Sequence, residues 1–216
     1  MTIESNIEIQ DRKKDGNVTR EEILYAAARL IVEHGYGACT MRSVSERVRI
    51  KAGSLYYHFA SKDEIVAEIM NLGVSMLWRE VELQVRALPP GSSFKKRLDT
   101  AIRAHVAAKT NPQTPLMQVY EHLPPVLKRQ AKEMRQKYSN FWIKLLSEGV
   151  ASGDIRSNVD LTILVSYLLG GLNRIPEWYR AGKKDDDKVA KLISSTIMNG
   201  ILASRKSSAA STTRSG

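Results

Sequence analysis

The chain has 216 residues, 43% of them hydrophobic and 26% charged, and Lys and Arg outnumber Asp and Glu for a net charge of +10. It is too apolar for a disordered polypeptide, and its longest apolar run, residues 161–172, is too short and too interrupted for a membrane span. A single cysteine, Cys39, excludes an internal disulfide framework, and the polar N-terminus offers no signal-peptide core, so a cytoplasmic protein is expected.

In chain order, residues 1–18 lack apolar periodicity and carry the mixed-charge run Asp11-Arg12-Lys13-Lys14-Asp15, which predicts a flexible arm. Thr19 with Glu22 forms a capping box that opens a helix burying Ile23, Ala27, Leu30 and Ile31 and stopping at Gly35. Thr40 can cap a short second helix with Met41, Val44 and Val48 inside. After a break at Arg49-Ile50, Ala52, Leu55 and Phe59 stand at helical spacing. Ser61 with Glu64 predicts a second capping box, and Ile65, Ile69, Leu72 and Met76 stripe a long helix to about Arg86, ended by Pro89-Pro90-Gly91.

The remainder reads as helical too. Segments are expected from Lys95 to about Lys109 and from Val126 to Ala151. Another carries a stripe of Leu161, Leu164, Leu168, Leu172 and Ile175, and the last a stripe of Val189, Leu192, Thr196 and Ile197. Residues 204–216 are mostly Ser, Ala, Thr and Arg and read as a disordered tail. The fold class is all-α, with about nine helices. The expected division is an arm (1–18), a helix-turn-helix head (19–66), a ligand-binding and dimerisation body (67–203) and the tail (204–216).

Charge sharpens the functional reading. Residues 1–66 hold ten Lys/Arg against ten Asp/Glu, yet residues 40–62 alone hold five bases and one acid. In that window Gly53-Ser54-Leu55-Tyr56-Tyr57-His58-Phe59 is followed by Ser61-Lys62 and preceded by Thr40-Met41-Arg42 and Glu46-Arg47. These residues resemble the head of the TetR family of bacterial transcriptional regulators, specifically over about residues 19–66. Two adjacent tyrosines and a histidine cannot all face inward on one short helix. Leu55 and Phe59 would seat it, and Gly53 would let its backbone approach DNA closely. The resemblance implies DNA contacts from Thr40, Lys51, Gly53, Ser54, Tyr56, Tyr57, His58 and Lys62. Arg49 departs from the family pattern, standing near where the turn usually has glycine: either it takes left-handed backbone at a cost of about 1 kcal/mol or the turn is shaped differently, and its side chain can add a phosphate contact.

A helix-turn-helix head reads few base pairs, so two heads on a palindromic operator are expected. Ser166 and Gly170, and Thr196 and Gly200, are small pairs four residues apart on the two C-terminal helices. The resemblance implies a homodimer through that helix pair and a small-molecule effector held in the body. Met117, Tyr120, Tyr138, Trp142 and Tyr167 are the candidate pocket residues. Residues 95–144 hold eleven bases and three acids, against which the bland reading is a solvated basic face. The sharper one is an acyl-CoA thioester effector. The segment Trp178-Tyr179-Arg180, after Pro176, is similar to acyl-CoA-responsive regulators.

Other classes find less support. His34, His58, His105 and His122 lack metal-ligand spacing, and neither a nucleophile elbow nor a phosphate loop occurs, so no enzyme, metal or cofactor is expected. The alternative is a helical protein-interaction scaffold with a head that does not bind DNA.

Overall fold

The structure, a computed structural model, describes residues 18–111, 114–128, 132–179 and 186–202. The expected arm, apart from Val18, and the expected tail lie outside these residues, as do Arg129 and Arg180. The helices are α1 (Arg20–His34), α2 (Met41–Val48), α3 (Ala52–His58), α4 (Lys62–Arg86), α5 (Phe94–Thr110), α6 (Pro115–Gln118), α7 (Pro125–Lys128), α8 (Lys132–Ala151), α9 (Leu161–Asn173), α10 (Ile175–Trp178) and α11 (Asp186–Ile201). Eight have seven residues or more, and α6, α7 and α10 are single turns. Among the described residues there is no strand, only an isolated bridge between Ile155 and Leu202. The all-α class is the one found.

Local chemistry sets the boundaries. Thr19 accepts from the Glu22 backbone N–H while Glu22 reaches back to the Thr19 N–H at 2.8 Å, the full capping box. At α4 the reciprocal bond is displaced by one residue. Ser61 accepts from the Glu64 N–H, but the Glu64 carboxylate accepts from Ala60 N–H at 2.7 Å. Thr40 and Ser43 make a second full box at α2, which a Glu/Gln rule does not pick out. The long helix expected over 126–151 is met as α7 and α8, with 129–131 between them outside the described residues. Ile175 is buried but begins α10 instead of closing α9, because Pro176 has no N–H to extend the ladder.

Two apolar clusters share α4. The first joins Ile23, Ala27 and Ile31 of α1, Val44 of α2, Leu55, Phe59, and Ile65, Ile69 and Met70 of α4. It also takes in Leu116, Val119, Leu123 and Leu127, so the segment 115–128 helps to build the head's core. The second joins Leu77, Val81 and Val85 of α4 to α5, α8, α9 and α11. On α11 the buried line runs through Ala190, Ser194, Met198 and Ile201, leaving Leu192 and Thr196 exposed. That corrects the stripe expected through Leu192 and Thr196. The helix is apolar on two faces, and periodicity does not tell which one meets its own core.

Candidate nucleic-acid interface and effector cavity

The head presents α3. Leu55 and Phe59 are buried, while Lys51, Gly53, Ser54, Tyr56 and Tyr57 are exposed on the outer side, Tyr57 at 89%. An 89% exposed tyrosine does nothing for its own core. At Gly53 an added Cβ would meet no protein atom within 4 Å, so packing within the chain does not demand a glycine there. The seat is firm: the Arg20 guanidinium lies 3.9 Å over the Phe59 ring, and it also donates to the His58 carbonyl and to Glu68.

The turn before α3 is tight. Arg49 has φ 60° and ψ 40°, the only positive φ outside glycine among the described residues, and its N–H closes α2 on Glu46 and Ser45 carbonyls. Of the two readings of the missing glycine, Arg49 therefore takes the left-handed geometry itself. Cations around it divide into two sets. Arg42 pairs with Glu46 and Arg47 with Glu33, both at 2.8 Å, and hydrogen bonding to Arg47 pulls the Glu33 carboxyl below its usual range. Among the described residues, no ion pair engages Arg49 or Lys51. Thr40 caps α2, and His58, half-buried, ends α3 with its ring edge-on to Tyr57. Lys62 begins α4, where its ammonium donates to the Tyr36 carbonyl at 2.7 Å and lies 3.5 Å over the Tyr36 ring. The nine residues singled out in the sequence thus fall on α3, in the turn before it, at the start of α4 or, for Thr40, at the N-terminal cap of α2.

A cavity of about 1150 Å³ opens in the body. Met70, Gly73, Val74 and Leu77 of α4 form one wall, Leu116, Met117 and Tyr120 another, and α9 and α11 the far side. Lys128, Lys132 and Arg135 stand along it, with Lys128 and Arg135 against the Tyr120 ring at 5.1 and 4.7 Å. Of the five candidate pocket residues, Met117, Tyr120, Tyr138 and Tyr167 line this cavity. Tyr167 does so from the outer edge, being 73% exposed. Trp142 does not: it is fully buried behind the wall, packed on His105 and Tyr138. The α4 wall escaped the sequence reading because its residues look like ordinary core at helical spacing.

Polar groups are sealed around the cavity. Lys109, 2% exposed, lines it and donates to the Met117 carbonyl at 2.9 Å. His105 bonds through Nδ1 to the Tyr138 hydroxyl at 2.8 Å, and the Asn173 side chain also stands beside its ring. Burial, and next the Lys109 charge, lower the His105 pKa to about 3, so its ring is neutral. Burial pushes the Tyr138 phenol up.

A third surface runs along α9 and α11. Ile163 (68% exposed), Tyr167 and Leu192 (67%) stand out beside exposed Ser166, Gly170, Thr196 and Gly200. No charged residue occurs in 161–173 or 192–201.

Comparisons with known proteins agree with this architecture. Residues 23–69 match the family described as Bacterial regulatory proteins, tetR family, and residues 91–201 match the Tetracyclin repressor-like, C-terminal domain. The HTH-type transcriptional repressor KstR2 of Rhodococcus jostii (strain RHA1) is 27% identical over 184 residues, 84% of this chain and 90% of that protein. The solved structure of AibR in complex with isovaleryl coenzyme A and operator DNA superposes with a TM-score of 0.70 at 24% identity, over 82% of this chain and 96% of that one. FadR from Bacillus subtilis in complex with stearoyl-CoA gives 0.71 at 18% identity, over 85% and 100%.

Proposed function

The chain belongs to the TetR family of bacterial regulatory proteins, and from that premise we propose that it is a transcriptional repressor, dimeric on palindromic operator DNA and released by an acyl-CoA thioester. The observation that carries the DNA reading is the outer face of α3, where Lys51, Ser54, Tyr56 and Tyr57 stand exposed on a helix seated by Leu55 and Phe59. Such a face enters a major groove, with tyrosine and serine hydroxyls in reach of base edges. Arg49, Thr40, His58 and Lys62 flank it at helix ends and the turn, positions suited to phosphates. A cytoplasmic location and the lack of any enzymatic activity belong to this reading. Its relatives are transcription regulators, and no helix among the described residues is long and apolar enough to cross a membrane.

The uncharged face of α9 and α11 joins two copies about a twofold axis, since its small residues allow close helix approach and its apolar residues need cover. Two heads then meet successive major grooves about 34 Å apart. The effector reading rests on the cavity. Its apolar α4 wall suits an acyl chain, and Lys128, Lys132 and Arg135 suit the phosphates of coenzyme A. The complexes of AibR and FadR with acyl-CoA molecules support the same ligand class. Met70 and Leu116 touch both the cavity and the head's core, so a ligand that displaces them shifts the head and the spacing of the pair.

A pooled genomic-fragment selection with purified protein, at two salt concentrations and with or without acyl-CoAs, tests all of this. The expected result is a palindromic site with steep salt dependence, lost in Tyr57→Ala and Lys62→Ala and released by an acyl-CoA. Replacing Lys128, Lys132 and Arg135 by Gln should weaken acyl-CoA binding while leaving ligand-free operator affinity unchanged. A folded dimer that enriches nothing at low salt would make the head a protein-binding module instead.

A further inference from the structure

A second cavity of about 580 Å³ lies between α4 and α5, and its position relative to the first is informative. On α4 the large cavity is lined by residues up to Leu77, and the second begins at Glu80 and continues to Gln84. Those positions follow one another along a single helix face. On α5, Lys109 faces the large cavity, whereas Thr100, Arg103, Ala104, Ala107, Ala108 and Asn111, on another face of that helix, line the second. On α4 the two spaces therefore follow one another, and they adjoin at Met117. Met117 is the one residue lining both.

The backbone of Met117 is held on two sides. Its N–H donates to the Thr114 carbonyl at 3.0 Å and its carbonyl accepts from the buried Lys109 ammonium at 2.9 Å. Directly beside it, a Cβ at Gly73 would stand 2.1 Å from the Leu116 carbonyl oxygen, so α4 presses on this segment with no slack. The main chain is thus held where the two spaces adjoin, and the unbranched thioether side chain of Met117 stands between the large cavity and a groove whose Gln84, Ala107 and Asn111 are exposed.

We propose that Met117 is a specificity-determining residue: it is the end wall of the effector cavity and sets the longest acyl chain admitted. The inference rests on the acyl-CoA reading above. With phosphates at Lys128, Lys132 and Arg135, the acyl chain runs along Val74 and Leu77 until it meets the Met117 side chain. Removing that side chain joins the two cavities and admits further carbons toward Ala104 and Ala107.

The test is binding and operator release by saturated acyl-CoAs of stepwise increasing length, for the wild type, Met117→Ala, Met117→Val and Met117→Phe. The wild type should tighten by about fourfold per added carbon, about 0.8 kcal/mol per methylene, and then lose affinity beyond a limit. That limit should move to longer chains in Met117→Ala, less far in Met117→Val, and to shorter chains in Met117→Phe. Should Met117→Ala fail to fold, the opposed shifts of the Val and Phe variants carry the result. An unchanged limit in folded, operator-binding variants overturns the end wall and leaves the acyl-CoA reading standing. A wild type that binds none of the series removes the acyl-CoA reading and the end wall together.

Discussion

The outer face of α3 and the shared face of α9 and α11 both expose large side chains, yet they differ in what surrounds them. Around Tyr56 and Tyr57 stand Lys51, Arg49 and helix-end hydroxyls, with no acid on α3 itself. Around Ile163, Tyr167 and Leu192 small and apolar residues dominate, and the charges, Asp160, Lys188 and Lys191, stand only at the ends of the strip. Exposure alone therefore does not identify a partner. The neighbours do: unpaired cations with hydroxyls suit a polyanion, and a strip of apolar and small residues suits a copy of itself.

Separating seat from face should give the largest effect. Phe59→Ala removes a buried ring from the head's core and should cost about 3–5 kcal/mol, read by chemical denaturation, with operator binding lost as the head loosens. Tyr57→Ala, two residues away, should leave stability within about 0.5 kcal/mol while lowering operator affinity about tenfold or more. Comparable stability losses in the two variants would mean that Tyr57 packs against something, and the face would lose its meaning. On the other strip, Leu192→Asp places like charges near each other across a twofold contact. It should weaken self-association by roughly 2–4 kcal/mol, seen as monomer in sedimentation. An unchanged dimer would move the interface elsewhere.

The head was legible because its signals are local. Thr19 with Glu22, and Leu55 with Phe59, are three or four residues apart, and sequence spacing translates directly into helix geometry. The Thr40–Ser43 box escaped because a serine replaces the usual Glu or Gln. In the body the same reasoning found helices but not their neighbours. Its place in a helix expected around the cavity made Trp142 a pocket candidate, and periodicity put Leu192 on the inner stripe, whereas Trp142 lies behind the cavity wall and Leu192 faces out. Lys109 counted as one basic residue among eleven, yet it is buried, because its ammonium reaches a carbonyl eight residues further on. Leu116, Val119 and Leu123 complete the head's core from a segment about fifty residues distant, beyond any local pattern.

The two cores also differ in what they bury. Ser45 is the buried polar side chain at the head, whereas the body encloses His105, Lys109, Thr110 and Ser194. His105 ties the body's stability to pH. Its folded pKa of about 3 lies below the ordinary value of 6.5, so the unfolded chain takes up the proton first as pH falls. The stabilisation is complete above about pH 6.5 and is lost progressively toward pH 3, about 2 kcal/mol of it between pH 7 and pH 5. Denaturation across that range should show the slope in the wild type and a flatter one in His105→Gln. Identical slopes would assign the acid sensitivity to carboxylates.

The smallest effect separates two roles within one residue. Arg49 both holds left-handed backbone in the turn and carries a cation that no acid neutralises among the described residues. Arg49→Gly should relieve about 1 kcal/mol of backbone cost, partly offset by the looser unfolded chain, for a net gain of about 0.5 kcal/mol in stability. If the guanidinium also holds a phosphate, the same change should weaken operator binding at low salt and reduce the salt slope by about one per protomer. The two readouts then move in opposite directions, which no loss of folding can imitate. Arg49→Lys discriminates further, because it keeps the charge and the strained backbone and should retain most of the slope. A slope unchanged in Arg49→Gly would leave Arg49 as a turn residue and pass the phosphate contact to Lys51, the next cation on that edge.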